Sequence, residues 1–113
     1  MKDVSKVSLE FRTIKTCDIA TSRKIIVDCI ETWNDMINSD EEIRPYLHQY
    51  PFPADKVEIG ISFYEKNGNR PSESVAYAFT LKGKIYYCRH NPEIPDLEDI
   101  WEEDYAEALK LVK

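Results

Sequence analysis

Between residues 56 and 90, apolar side chains recur at every second position, and that spacing commits the chain to a sheet. Val57, Ile59, Ile61 and Phe63 alternate with Glu58, Gly60, Ser62 and Tyr64. Val75, Tyr77, Phe79 and Leu81 alternate with Ala76, Ala78 and Thr80, and Ile85 and Tyr87 with Tyr86 and Cys88. Successive side chains of a strand point to opposite faces, so each run sorts its residues into two sets. Three such runs separated by turn residues predict an antiparallel meander. The bulky set is expected to face a core. The opposite face is then small, with Gly60, Ser62, Ala76, Ala78 and Thr80 rimmed by Tyr64 and Tyr86.

The turns set the register. Residues 67–72 form a polar loop with strong turn residues. Lys82-Gly83 allows two hairpins. A type I turn with Gly83 in a bulge pairs Phe79 with Ile85 and Tyr77 with Tyr87. A plain two-residue turn sets Leu81 against Lys84 and Phe79 against Tyr86. The bulge is preferred because it keeps apolar partners together, and a slip of one residue exchanges the faces of the last strand.

Upstream, Val7, Leu9 and Phe11 alternate with Ser8, Glu10 and Arg12, predicting a strand within residues 5–15. A helix over residues 18–38 follows, with Thr16 or Asp18 as its cap. Ile19, Ile26, Ile30, Trp33 and Ile37 share one face of a 3.6-residue period, widened by Ile25, Cys29 and Met36, with Arg23, Lys24, Asp28, Glu31, Asn34 and Asp35 toward solvent. About 20 helical residues span ~30 Å and an eight-residue strand ~27 Å, so helix and sheet match in length. Three prolines in residues 39–55 exclude a long helix or central strand and predict a short helical turn, then extended chain. After Pro92 and Pro95, a second helix over residues 97–112 is expected, capped by Asp96, with Trp101, Tyr105, Ala108 and Val112 on one stripe. The preferred place for that helix is the second sheet face. The whole is a single α+β domain over residues 1–113: N-terminal strand, long amphipathic helix, three-stranded antiparallel meander, C-terminal helix.

A long helix wrapped by an antiparallel meander resembles the arrangement of cystatin-like folds. The Gln-x-Val-x-Gly hairpin of the protease-binding cystatins is absent: the first hairpin reads Asn67-Gly68-Asn69-Arg70-Pro71, so protease inhibition does not carry over. Ile43-Arg44-Pro45-Tyr46-Leu47 with Tyr50-Pro51-Phe52 resembles a segment of small uncharacterised bacterial domains, some of them exported. That resemblance implies no activity.

Charge narrows the partners. The net charge is −6, and eight of the 21 acids lie between Glu93 and Glu107, where there is no base. The remainder holds 15 bases against 13 acids. An acidic balance disfavours nucleic acids and anionic membranes, which need phosphate neutralisation, and allows a basic protein partner. No apolar run is long enough to span a bilayer. Cys17, Cys29 and Cys88 are odd in number and lack metal-ligand spacing, so neither a disulfide framework nor a cofactor is indicated. Free thiols favour a cytoplasmic setting, or export if an upstream signal peptide has been removed.

Candidate sites follow. The first is the second sheet face (Gly60, Ser62, Tyr64, Ala76, Ala78, Tyr86) together with the acids Glu102, Glu103 and Asp104 on the exposed face of the last helix. It would dock a basic protein or a second copy of the chain. The alternative set is Arg44, Tyr46, His48 and Tyr50 in the proline-rich connection, with Cys88 and His90 two apart on one strand. A thiol and an imidazole so placed could be a nucleophile and its base, or half a metal site. Cys17 at a helix N-terminus could be a lowered-pKa thiol. No glycine-rich phosphate loop or Ser-His-Asp set is present, so the sequence favours binding over catalysis. Three readings stand: an interaction module in the role of an inhibitor or immunity-like partner; a small cysteine-dependent enzyme or metal binder; a structural homodimer.

Overall fold

The computed structural model describes residues 4–71, 74–91, 93 and 97–112. Five strands form one mixed sheet in the order β1-β2-β3-β4-β5: β1 (Val7–Ile14), β2 (Val57–Tyr64), β3 (Tyr77–Leu81), β4 (Lys84–Arg89) and β5 (Glu98–Asp104). The α+β class and the meander of β2 to β4 hold, and a further strand pairs at each edge. β1 runs parallel to β2, Val7 beside Val57 and Ile14 beside Tyr64. Parallel neighbours need a long crossover. Here it is α1 (Ile19–Ser39), followed by residues 40–56 with two short 3-10 turns.

Asp18 caps α1: its side chain accepts from the Thr21 amide at 2.8 Å. The stripe lands on the sheet. Ile26, Val27, Ile30 and Ile37 are buried against Val57, Ile59, Ile61 and Phe63, and Phe11 lies 6.3 Å from Trp33 between ring centroids. Met36, expected to widen the stripe, is exposed. Asn34 and Asn38 donate to the Phe52 carbonyl at 2.8 and 3.1 Å, which ties the proline-rich connection to α1 and seats the Phe52 ring in the core.

Two expectations are corrected. The first is the register of β3. Its strand takes the plain two-residue turn, with Leu81 opposite Lys84, Phe79 opposite Tyr86 and Ala78 opposite Tyr87. Lys82 and Gly83 both have positive φ, 52° and 80°, the geometry of a type I′ turn, whose twist matches that of the flanking strands. Ala78 and Thr80 therefore point toward α1, and Tyr77 and Phe79 away from it. Volume explains the choice: Ala78 sits between Ile61 and Tyr87, and Thr80 beside Ile85, so small residues face large ones under the helix. Thr80 also accepts the Ile59 amide at 2.9 Å through its hydroxyl.

The second correction concerns the C-terminal acids. Residues 98–104 form strand β5, antiparallel to β4, and only α2 (Tyr105–Val112) is helical. The bases of β4 explain it: Lys84 and Arg89 reach Glu102 and Glu98 at 3.8 and 3.2 Å across the ladder. Ile100 is the extra residue where the ladder slips between Tyr87 and Cys88. The expected cap Asp96 lies outside the described residues. α2 packs beside α1, with Ala108 buried in the same core, and so does not cover the second sheet face.

Replacing Gly83 with Ala tests the turn. A Cβ there meets only Asp55 Cβ, at an ordinary 3.6 Å, so the cost is that of a left-handed backbone, about 1–2 kcal/mol. Chemical denaturation should show that loss for Gly83→Ala and little for Gly83→Asn. Equal stability of all three would contradict the type I′ turn.

Candidate functional site

The outer sheet face is the candidate site, and its composition differs from the expected one. Tyr77 and Phe79 stack at 5.3 Å between centroids with planes 22° apart, and Phe79 and Tyr86 at 4.9 Å and 14°. The result is a row of three half-buried rings across β3 and β4. Of the expected face residues, Gly60, Ser62, Tyr64 and Tyr86 lie on this side. Ala78 and Thr80 are in the core, and Ala76 is buried before the start of β3.

Gly60 is small for an internal reason. A Cβ there would collide with the Glu10 carboxylate and the Tyr77 hydroxyl, which meet above it. Tyr77 donates to Glu10 at 2.9 and 3.1 Å. Burial first, and then this acceptor, push the phenol up to about 12, so Tyr77 remains a neutral donor. Next to it, Tyr64 is covered by two guanidinium groups, Arg70 at 4.7 Å and Arg12 at 5.9 Å from the ring centroid. Tyr77 and Phe79 were missed by the sequence reading because the wrong register turned them inward, and Glu10 because the N-terminal strand was not placed beside β2. The available signal was Gly83, which takes a positive φ at no steric cost.

The three acids separate. Glu102 lies on the β5 edge facing Lys84, and Asp104 opposes Lys84 in the ladder. Glu103 turns inward, with its side chain 8% exposed. Arg23, expected in solvent, grips it with two hydrogen bonds of 2.8 and 3.0 Å, and the Tyr87 hydroxyl donates to it at 2.6 Å. Burial resists ionisation of Glu103, but the hydrogen bonds from Arg23 and Tyr87 outweigh it and hold the carboxyl below its ordinary 4.5. This cluster fastens α1 to the sheet edge; it is not a docking handle.

The thiols are placed for structure. Cys88 is buried on the outer side of β4 and donates to Asp99 at 3.0 Å. Burial, then the neighbouring carboxylate, push it up to about 12. Cys17 is buried, and burial raises its pKa despite the helix terminus. Burial raises Cys29 as well. His90 is half-buried beyond the end of β4. Among the described residues no group of three His, Cys, Asp or Glu could hold a metal ion.

In the proline-rich connection, Arg44 stacks over Tyr50 at 4.6 Å and Tyr46 is exposed. The His48 amide donates to Val4 at 2.9 Å, and His48 borders a hollow of about 510 Å3 with Lys6, Gln49, Phe52 and Lys56. These residues are not brought to Cys88.

No family model, curated protein or solved structure matches the chain.

Two measurements check this geometry. Glu103→Gln should cost about 3 kcal/mol at neutral pH, the lower end of the range for breaking a buried pair. Because the folded-state pKa is depressed, the wild-type advantage is complete above 4.5 and fades as pH falls through the folded value. A stability gap that ignores pH would contradict the pairing. In native protein at pH 7, Ellman's reagent should react slowly with all three cysteines and rapidly only after unfolding. Prompt native reaction of Cys88 would contradict its burial beside Asp99.

Proposed function

We propose that this chain is a non-catalytic protein-interaction module that receives a basic protein on the outer face of its sheet, acting as an inhibitor or immunity-like partner. The Tyr77–Phe79–Tyr86 row carries the reading. Contiguous rings on a face that no helix of the described residues covers are what the centre of a protein interface requires. Carboxylates flank the row on both sides, Glu10 and Glu58 toward β1 and β2, Asp99 and Glu102 on β5. Such a border steers a basic partner and repels nucleic acid. The cysteine-enzyme reading is disfavoured because burial keeps the thiols in their neutral form. Three free cysteines suit a reducing compartment, and the cytoplasm is the setting we favour. Among the described residues no helix is long and apolar enough to cross a membrane.

The test compares immobilised wild-type chain with a Phe79→Ser/Tyr86→Ser variant that retains the wild-type circular dichroism spectrum. Wild type should retain a basic protein at low salt, lose it at high salt, and the variant should retain none. Capture that ignores both salt and substitution would contradict the reading. Light scattering that finds a dimer abolished by the substitutions would assign the face to a second copy instead.

A further inference from the structure

We propose that the cleft beside Gly60 receives an arginine side chain of the protein partner. The inference rests on the outer face being the docking surface and names what that surface recognises. A cavity of about 100 Å3 opens there, bordered by Ser8, Glu10, Glu58, Gly60, Tyr77 and Phe79. Sites for drug-sized molecules run to about 300–1,000 Å3, so this space suits the head of one side chain.

The chemistry of the walls selects a cation. Glu10 and Glu58 supply carboxylates from β1 and β2, and Phe79 and Tyr77 supply ring faces from β3. The charge at Glu10 is met by a hydroxyl, from Tyr77, and the structure gives it no ion pair among the described residues. Among the described residues Glu58 is met at 3.5 Å by Lys6, whose side chain is 56% exposed. A planar guanidinium fits this combination better than an ammonium: it can lie flat on a ring while its edge donates two parallel hydrogen bonds to a carboxylate.

The chain lays guanidinium groups on rings elsewhere with its own residues. On this face Tyr64 is covered by Arg12 and Arg70, and in the proline-rich connection Tyr50 is covered by Arg44. The Tyr77–Phe79–Tyr86 row carries no such cover among the described residues. An incoming arginine would continue the pattern Tyr64 begins, next to the β1 carboxylate Glu10, which has no ion pair among the described residues.

The probe is the peptide acetyl-Gly-Arg-Gly-amide, titrated into 15N-labelled chain and followed by amide shifts. Its citrulline counterpart has the same shape without the charge. The arginine peptide should move the amides of Ser8, Glu10, Gly60, Tyr77 and Phe79 in a saturable way, and citrulline should move none of them. Glu10→Gln, and separately Glu58→Gln, should weaken the arginine peptide at least fivefold with unchanged melting temperature. Equal shifts from citrulline, shifts centred on β5 or the Lys6–Lys56 hollow, or concentration-dependent shifts of the same amides without peptide would overturn the inference. If a basic partner is captured and lost on Phe79→Ser/Tyr86→Ser yet binds Glu10→Gln and Glu58→Gln as wild type, the docking surface stands and the arginine cleft fails.

Discussion

The two positive φ values at Lys82 and Gly83 decide what this molecule shows to its surroundings. A two-residue turn fixes Leu81 against Lys84, and every pairing back along β3 follows from that first pair. The consequence is a division of labour within one strand. Ala78 and Thr80 lie under α1, where the core already has Ile61, Ile85 and Tyr87 and has room only for small groups. Tyr77 and Phe79 turn outward and find Tyr86. One residue of slip would bury those rings and leave an almost featureless outer surface.

The rest of the fold secures this division. α1 occupies the inner face along its length, and the Arg23–Glu103–Tyr87 cluster joins it to the far edge of the sheet. α2 begins where the Tyr105 amide donates to the Gly83 carbonyl at 2.9 Å, so the same turn that sets the register also anchors the last helix on the inner side. Both helices thus share one face. The other keeps its rings and its carboxylates accessible, and the Glu10–Tyr77 contact closes over Gly60 as part of that surface.

Much of the fold was legible in the sequence. The alternation of residues 57–63 and the stripe from Ile26 to Ile37 each admit one reading, because their large apolar side chains have a single place to go. Asp18 was among the expected caps for the same kind of reason. Residues 75–81 were not legible from hydrophobicity, since Tyr, Phe, Ala and Thr satisfy either face and only packing volume across the sheet distinguishes them. The acidic segment failed for a related reason. Trp101, Tyr105, Ala108 and Val112 do fall at helical spacing, but Trp101 belongs to a strand whose carboxylates are held by Lys84, Arg89 and Arg23 of other elements. The candidate site was legible in location, the outer face, and largely illegible in content.

Cross-strand proton contacts between assigned rings test the central claim most directly. The account predicts strong nuclear Overhauser effects between the Phe79 and Tyr86 rings, whose centroids lie 4.9 Å apart, and between the Ala78 methyl and the Tyr87 ring opposite it. Effects linking Phe79 to Ile85 and Tyr77 to Tyr87 instead would place the aromatic row in the core and remove the surface on which the functional reading stands.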